Sequence, residues 1–312
     1  MIAAALAFGQ EPAGVQLSHL YTLGSKHGIH PPRILNRRAV TAALGLGEPP
    51  YGLGFPVGVA TDLHGRVWIT DGATASVHVF DRATGAYSEI RRVGELLLRQ
   101  PSGIAADAQG RIYVVDSALA SVFVFDENGE YDRTLVKRSE RLLEGPTAIA
   151  VSEEGRTIYV ADPPRNAVVA LNREGEVNTI IQLPSELSEP SAISVASNQV
   201  YVMGARQHRV QIFSPDGRPR GEMGWNGVHL PSAFTYDAAR QWFLVANPRL
   251  VVVQIFDAEG RNVGVFGQQG EGVDQMQQVN AMHVDAKGLI YLVDSHRGKV
   301  LVFGDSSHPA AP

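Results

Sequence analysis

The sequence predicts an all-β protein, a six-bladed β-propeller of four-stranded antiparallel blades whose ring is closed by an N-terminal strand. Three observations predict it: a phrase repeated six times, a repeat length near that of one blade, and a composition poor in charge and rich in glycine. The phrase is a Pro, a small residue two places later, an apolar residue, an Asp-containing turn, then an aromatic followed after three residues by Asp. It opens at Pro56, Pro101, Pro146, Pro190, Pro231 and, with the Pro lost, Val279. Those openings are 45, 45, 44, 41 and 48 residues apart, the spacing of four-stranded propeller blades.

Each unit reads as four strands. In the first they are expected over 58–61, 66–70, 77–80 and 87–91, with Asp62-Leu63-His64-Gly65 turning the first hairpin. The third strand recurs as Val122–Phe125, Ala167–Leu171, Val210–Phe213, Val253–Phe256 and Val300–Phe303. These runs lack strict alternation, as expected of strands covered on both faces by neighbouring blades. The sixth unit ends after Phe303-Gly304 without an outer strand, so the stretch from Val15 to Gly24 is expected to supply it and close the ring. The domain therefore spans residues 15–304, with 305–312 a flexible tail and 1–14 a flexible N-terminus or the remnant of a secretory signal.

The unit from Pro101-Ser102-Gly103-Ile104-Ala105 through Asp107, Gly110, Tyr113 and Asp116 to Val122-Phe123-Val124-Phe125-Asp126 resembles an NHL repeat. The resemblance extends over the whole repeat region. It implies a six-bladed ring with a central channel, and it implies no single activity, because such propellers serve as protein-binding platforms, RNA-binding modules and amidating lyases. In the lyases, zinc histidines follow the opening Pro; here those places hold Val57, Ser102, Thr147, Ser191, Ser232 and Asn280.

Composition excludes several functions. With 312 residues, 44% of them hydrophobic, the chain can bury a large core, and zero Cys removes disulfides, thiolate metal sites and a cysteine nucleophile. The 27 Lys and Arg against 32 Asp and Glu leave a formal charge of −5, which places RNA binding last among the readings. No apolar run approaches the length of a membrane-spanning helix. Met1–Gln10 carries small-x-small cleavage options but no basic region before them, so the expected location is periplasmic or extracellular if it is a signal, and cytoplasmic otherwise.

The repeated acids are expected to be structural. Asp62, Asp107 and Asp285 precede a turn Gly by three, while Asp71, Asp116, Asp162 and Asp294 end second strands, with Gly204 and Ala246 read as their replacements in blades four and five. Departures from the repeat are better functional candidates. A column of small inner-strand residues, Ala60, Ala105, Ala150, Ser194 and Thr235, ends in His283, the one candidate for a channel metal such as zinc or calcium, with His208, His229 and His296 as loop residues nearby.

The loops between second and third strands change character around the ring. Those of blades one and two are small and uncharged, whereas blades three to six carry Arg165, Arg206, His208, Arg209, Arg249, His296, Arg297 and Lys299. Lys26, Arg33, Arg37 and Arg38 join them from the long connection 25–55, which also holds an expected short helix near 38–44. Neighbouring Glu residues could pair with these cations locally. Of the aromatics, Trp242 reads as core, and Trp225, beside Asn226, reads as loop-borne. The reading is a non-catalytic, monomeric platform whose cationic loop face binds a protein or other anionic partner; the alternative is a metal-dependent lyase or hydrolase working at the channel.

Overall fold

The computed structural model describes residues 17–24, 52–152, 154–184, 189–204, 209–272 and 274–305. The first ten residues, the basic connection with its expected helix, Tyr51, Arg206, His208 and the C-terminal tail lie outside them.

Six antiparallel sheets of four strands form a ring. Blade one comprises Pro56–Thr61, Val67–Asp71, Ser76–Phe80 and Tyr87–Ile90. Blade two runs Pro101–Ala106, Ile112–Asp116, Ser121–Phe125 and Tyr131–Val136. Blade three has Ala148–Val151, Ile158–Asp162, Ala167–Leu171 and Val177–Gln182. Blade four has Pro190–Ala196, Gln199–Gly204, Arg209–Phe213 and Pro219–Gly224. Blade five has Ala233–Asp237, Trp242–Asn247, Val252–Phe256 and Asn262–Phe266. Blade six takes Val279–Val284, Ile290–Asp294 and Lys299–Asp305 from the end of the chain and Leu17–Leu23 from its start. Leu17 pairs with Asp305 and Leu23 with Val300, so the N-terminal strand closes the ring as expected.

The core is divided among the gaps between blades. Each of the six interfaces holds its own apolar cluster, the one between blades six and one including Leu23, Val59, Ile69, Val293 and Val302. Second and third strands are therefore covered on both faces, which explains their unbroken apolar runs. Trp225 belongs to this core rather than to an exposed loop: it is buried beside Phe234, Phe243 and Phe256, at ring separations of 6.0–6.3 Å. Its neighbour Asn226 is exposed, but the indole closes the gap between blades four and five.

The small residue after each opening Pro has a packing cause. A Cβ on Gly58 would come within 2.8 Å of the Ser102 carbonyl oxygen, and one on Gly103 within 2.8 Å of the Ala148 Cα. Inner strands of adjacent blades leave no room for a side chain at these two positions. The same level carries hydrogen bonds between blades: Ser117 Oγ donates to the Pro146 carbonyl at 2.5 Å, Ser232 Oγ to Val279 at 2.5 Å, and Ser295 Oγ to Pro56 at 2.5 Å across the closing seam.

Candidate functional site

The repeated carboxylates build the frame on which the loops hang. Asp62, Asp107 and Asp285 each accept two backbone N–H groups of their own hairpin turn through Oδ1. Their Oδ2 atoms accept from the second-strand aromatic, Trp68 Nε1 at 2.9 Å, Tyr113 OH at 3.1 Å and Tyr291 OH at 3.0 Å. On the opposite face, buried Asp116 accepts from Arg99, Gln100 and Leu119, and Asp162 from Glu144 and Gly145. Asp294 accepts from Gln277 and Arg297. These acids thus hold the loop entering the blade, in most cases together with the loop after the second strand, more than the sequence alone implied.

Blade five keeps this device, against the expectation that Ala246 had replaced it. Ala246 pairs with Ala233, which sets Asn247 in the anchor place, and its Oδ1 accepts the N–H groups of Arg249 and Leu250 at 3.2 and 3.3 Å. The amide end donates to Gly227 O at 3.1 Å and Gln254 Oε1 at 2.7 Å, tying the entry loop to the loop 248–250. In blade four the place is Gly204, and the loop that follows lies outside the described residues.

The cations expected on this face divide by what they touch. Arg165 turns inward on its own blade and donates through Nη1 to the carbonyls of Arg141 and Leu142. Lys299 is 4% exposed, with Nζ donating to Gly272 O at 2.8 Å and Gln275 O at 2.5 Å; burial pushes its proton affinity down while Asp294 opposes. Arg209 pairs with Glu222 across two strands, and Arg297 with Glu271 at 2.8 Å. Arg249 and His296 are exposed. Leu250, next to Arg249 in the chain, is 51% exposed, so the braced loop of blade five presents a cation with an apolar side chain; Leu230, in the loop entering the same blade, is 48% exposed.

His283 lies on the inner strand of blade six, opposite Tyr291 in register. Its Nε2 is 2.8 Å from Thr61 Oγ1 of blade one, so the pair bridges the closing seam beside the channel. The imidazole keeps some solvent exposure but is hemmed in by protein, and this desolvation lowers its pKa to about 4 despite Asp285 nearby. It is therefore neutral at physiological pH. Among the described residues no group of three His, Cys, Asp or Glu side chains gathers around it or elsewhere. Thr61 was not among the expected site residues; only the register of two blades 222 positions apart brings it there.

The NHL repeat profile matches residues 98–125, the first three strands of blade two with the turn before them. The chain is a six-bladed propeller with an NHL repeat in blade two. No curated protein sequence matches it significantly. Among solved structures, virginiamycin B lyase from Staphylococcus aureus superposes with a TM-score of 0.58 at 12% identity, over 80% of this chain and 94% of that one. A nidogen/laminin complex gives 0.58 at 21% identity, over 69% and 81%. Hydrazine synthase from Kuenenia stuttgartiensis gives 0.59 at 13%, over 82% and 97%. At these identities the likeness shows the propeller fold alone. No helix among the described residues is long and apolar enough to cross a membrane.

Proposed function

We propose that this NHL propeller is a non-catalytic, monomeric binding platform, taking a protein or other anionic partner on the face formed by the second-to-third-strand loops. The supporting observation is the blade-five surface: Arg249 and Leu250 are exposed while their backbone is fixed by Asn247, and Leu230 in the entry loop of the same blade is exposed as well. Arg with apolar neighbours is a composition that carries binding energy, and a braced loop loses little conformational entropy on association. The earlier set narrows accordingly to Arg249 and His296, with Arg209 and Arg297 as cations that a partner could take over from their Glu. Arg206 and His208 stay in the proposal on sequence grounds. Export rests on Met1–Gln10.

The test is capture from an extract of the native organism by wild type, R249E/L250E, and L63D, which alters an exposed apolar residue on the opposite face. A partner retained by wild type and L63D but lost with R249E/L250E supports the platform. Equal capture by all three rejects it.

A second reading, a lyase or hydrolase at the channel, is favoured by the His283–Thr61 contact. Elemental analysis of protein purified without chelator decides its metal-dependent form. One zinc or calcium per chain, lost in H283A, supports it; equal metal content in both proteins removes His283 from that role.

A further inference from the structure

Beneath the loop face, blade one differs from the other five at one buried place. The third-strand residue lying two positions after the partner of the anchor residue is His78 in blade one. In the others it is Phe123, Val169, Gln211, Gln254 and Leu301. His78 is buried, and its Nε2 stands 3.7 Å from Asp71 Oδ2, 3.1 Å from Ser76 Oγ and 3.2 Å from Thr74 Oγ1. Its Nδ1 is 2.7 Å from the Tyr87 hydroxyl, on whose ring it stacks at 5.9 Å.

Asp71 is the blade-one anchor. It accepts the N–H groups of Gly54 at 2.6 Å, Phe55 at 3.0 Å, Ala73 at 2.9 Å and Thr74 at 3.0 Å. Phe55 and Ala73 in turn line a surface hollow between blades one and two, together with Val57, Gln100 and Pro101. One carboxylate thus carries the backbone of both loops on one side of that hollow, and one imidazole faces the carboxylate.

We propose that Asp71 and His78 form an acid-sensitive latch, in which protonation of His78 frees the 54–55 and 73–74 segments from Asp71 and reshapes the hollow between blades one and two. A neutral imidazole suits the observed contacts, donating from one nitrogen and accepting at the other. An imidazolium donates from both, sets a charge in a dry site, and draws on the Asp71 oxygen that Gly54 uses. The charged groups facing it are Asp71, Glu89 and Arg91, the last two paired with each other at 2.8 Å on and just beyond the outer strand. Burial, aided by Arg91, lowers the proton affinity of His78 against the opposing pull of Asp71 and Glu89. The closed latch is therefore favoured above the ordinary imidazole range, and acid favours whatever opening hydrates the ring. This latch is independent of the Arg249 surface.

Amide hydrogen exchange on the whole chain, from about pH 7.5 to about pH 5 and corrected for intrinsic rates, tests it. The four amides held by Asp71 should lose protection by up to about tenfold per pH unit below the ordinary imidazole value. Glu144 and Gly145, whose amides Asp162 holds in blade three, serve as the internal control and should not. H78F and H78Q, which install the residues of blades two and four, should abolish the response. An equal acid response in both variants, or equal loosening of the Asp162-held amides, would overturn the latch.

Discussion

Gly103 lies so close to Ala148 of the next blade that a Cβ on it would fall 2.8 Å from the Ala148 Cα and 2.9 Å from the Ile149 nitrogen. Those neighbours are backbone and cannot swing aside. G103A should lower stability by about 1–3 kcal/mol and G103V by more, read as a shift in denaturant midpoint at unchanged slope.

Removal of the buried Asp116 carboxylate leaves the N–H groups of Arg99, Gln100 and Leu119 without their acceptor. D116A should cost about 3 kcal/mol. D116N should cost less, because Asn247 already performs this task with an amide in blade five. Thermal unfolding of the two variants side by side checks the order, and equal losses would contradict it.

Deleting Leu17–Leu23 uncovers the edge of Lys299–Asp305 and part of the apolar cluster between blades six and one. The shortened protein should melt lower and associate in a concentration-dependent way. A synthetic peptide of residues 17–24 added in trans should restore the melting temperature, which thermal denaturation at several peptide concentrations would reveal.

His283 should leave a mark on acid stability. Its folded pKa of about 4 lies below the ordinary imidazole value of 6.5, so the unfolded chain binds the extra proton first. Stability is full above about pH 6.5 and declines toward about pH 4, with a slope of at most about 1.4 kcal/mol per pH unit from this residue. H283T, which places a residue of the blade-five type there, should flatten that limb without erasing it. His19 and His78 are also lowered by burial and keep their share. Denaturant midpoints across this pH range measure the difference.

The ring was legible in the sequence because its cause is periodic. The Pro, the small residue and the paired Asp positions recur since each blade meets its neighbour in the same way, as Gly58 and Gly103 show. In blade five the Trp242-Phe243-Leu244 run hides the register of the second strand, and the Ala233–Ala246 pairing puts Asn247, not Ala246, in the anchor place. The loop cations were legible as charge but not as contacts. Glu222 reaches Arg209 from a neighbouring strand, and the carbonyls that hold Lys299 come from a loop some 25 residues earlier. Nothing local to either cation announces those partners. The Thr61–His283 contact was equally hidden, since it forms only when the ring shuts.

Because Leu17 sits opposite Asp305, the outer ends of the closing pair lie side by side. Tension applied between these two points would load the terminal rung first and peel the remaining rungs one at a time, instead of shearing them together. The propeller is accordingly weakest to force along the direction in which its own ends are attached. Fusions or tethers placed on both ends would pull on a zipper, while the five blades made from consecutive strands would bear little of the load.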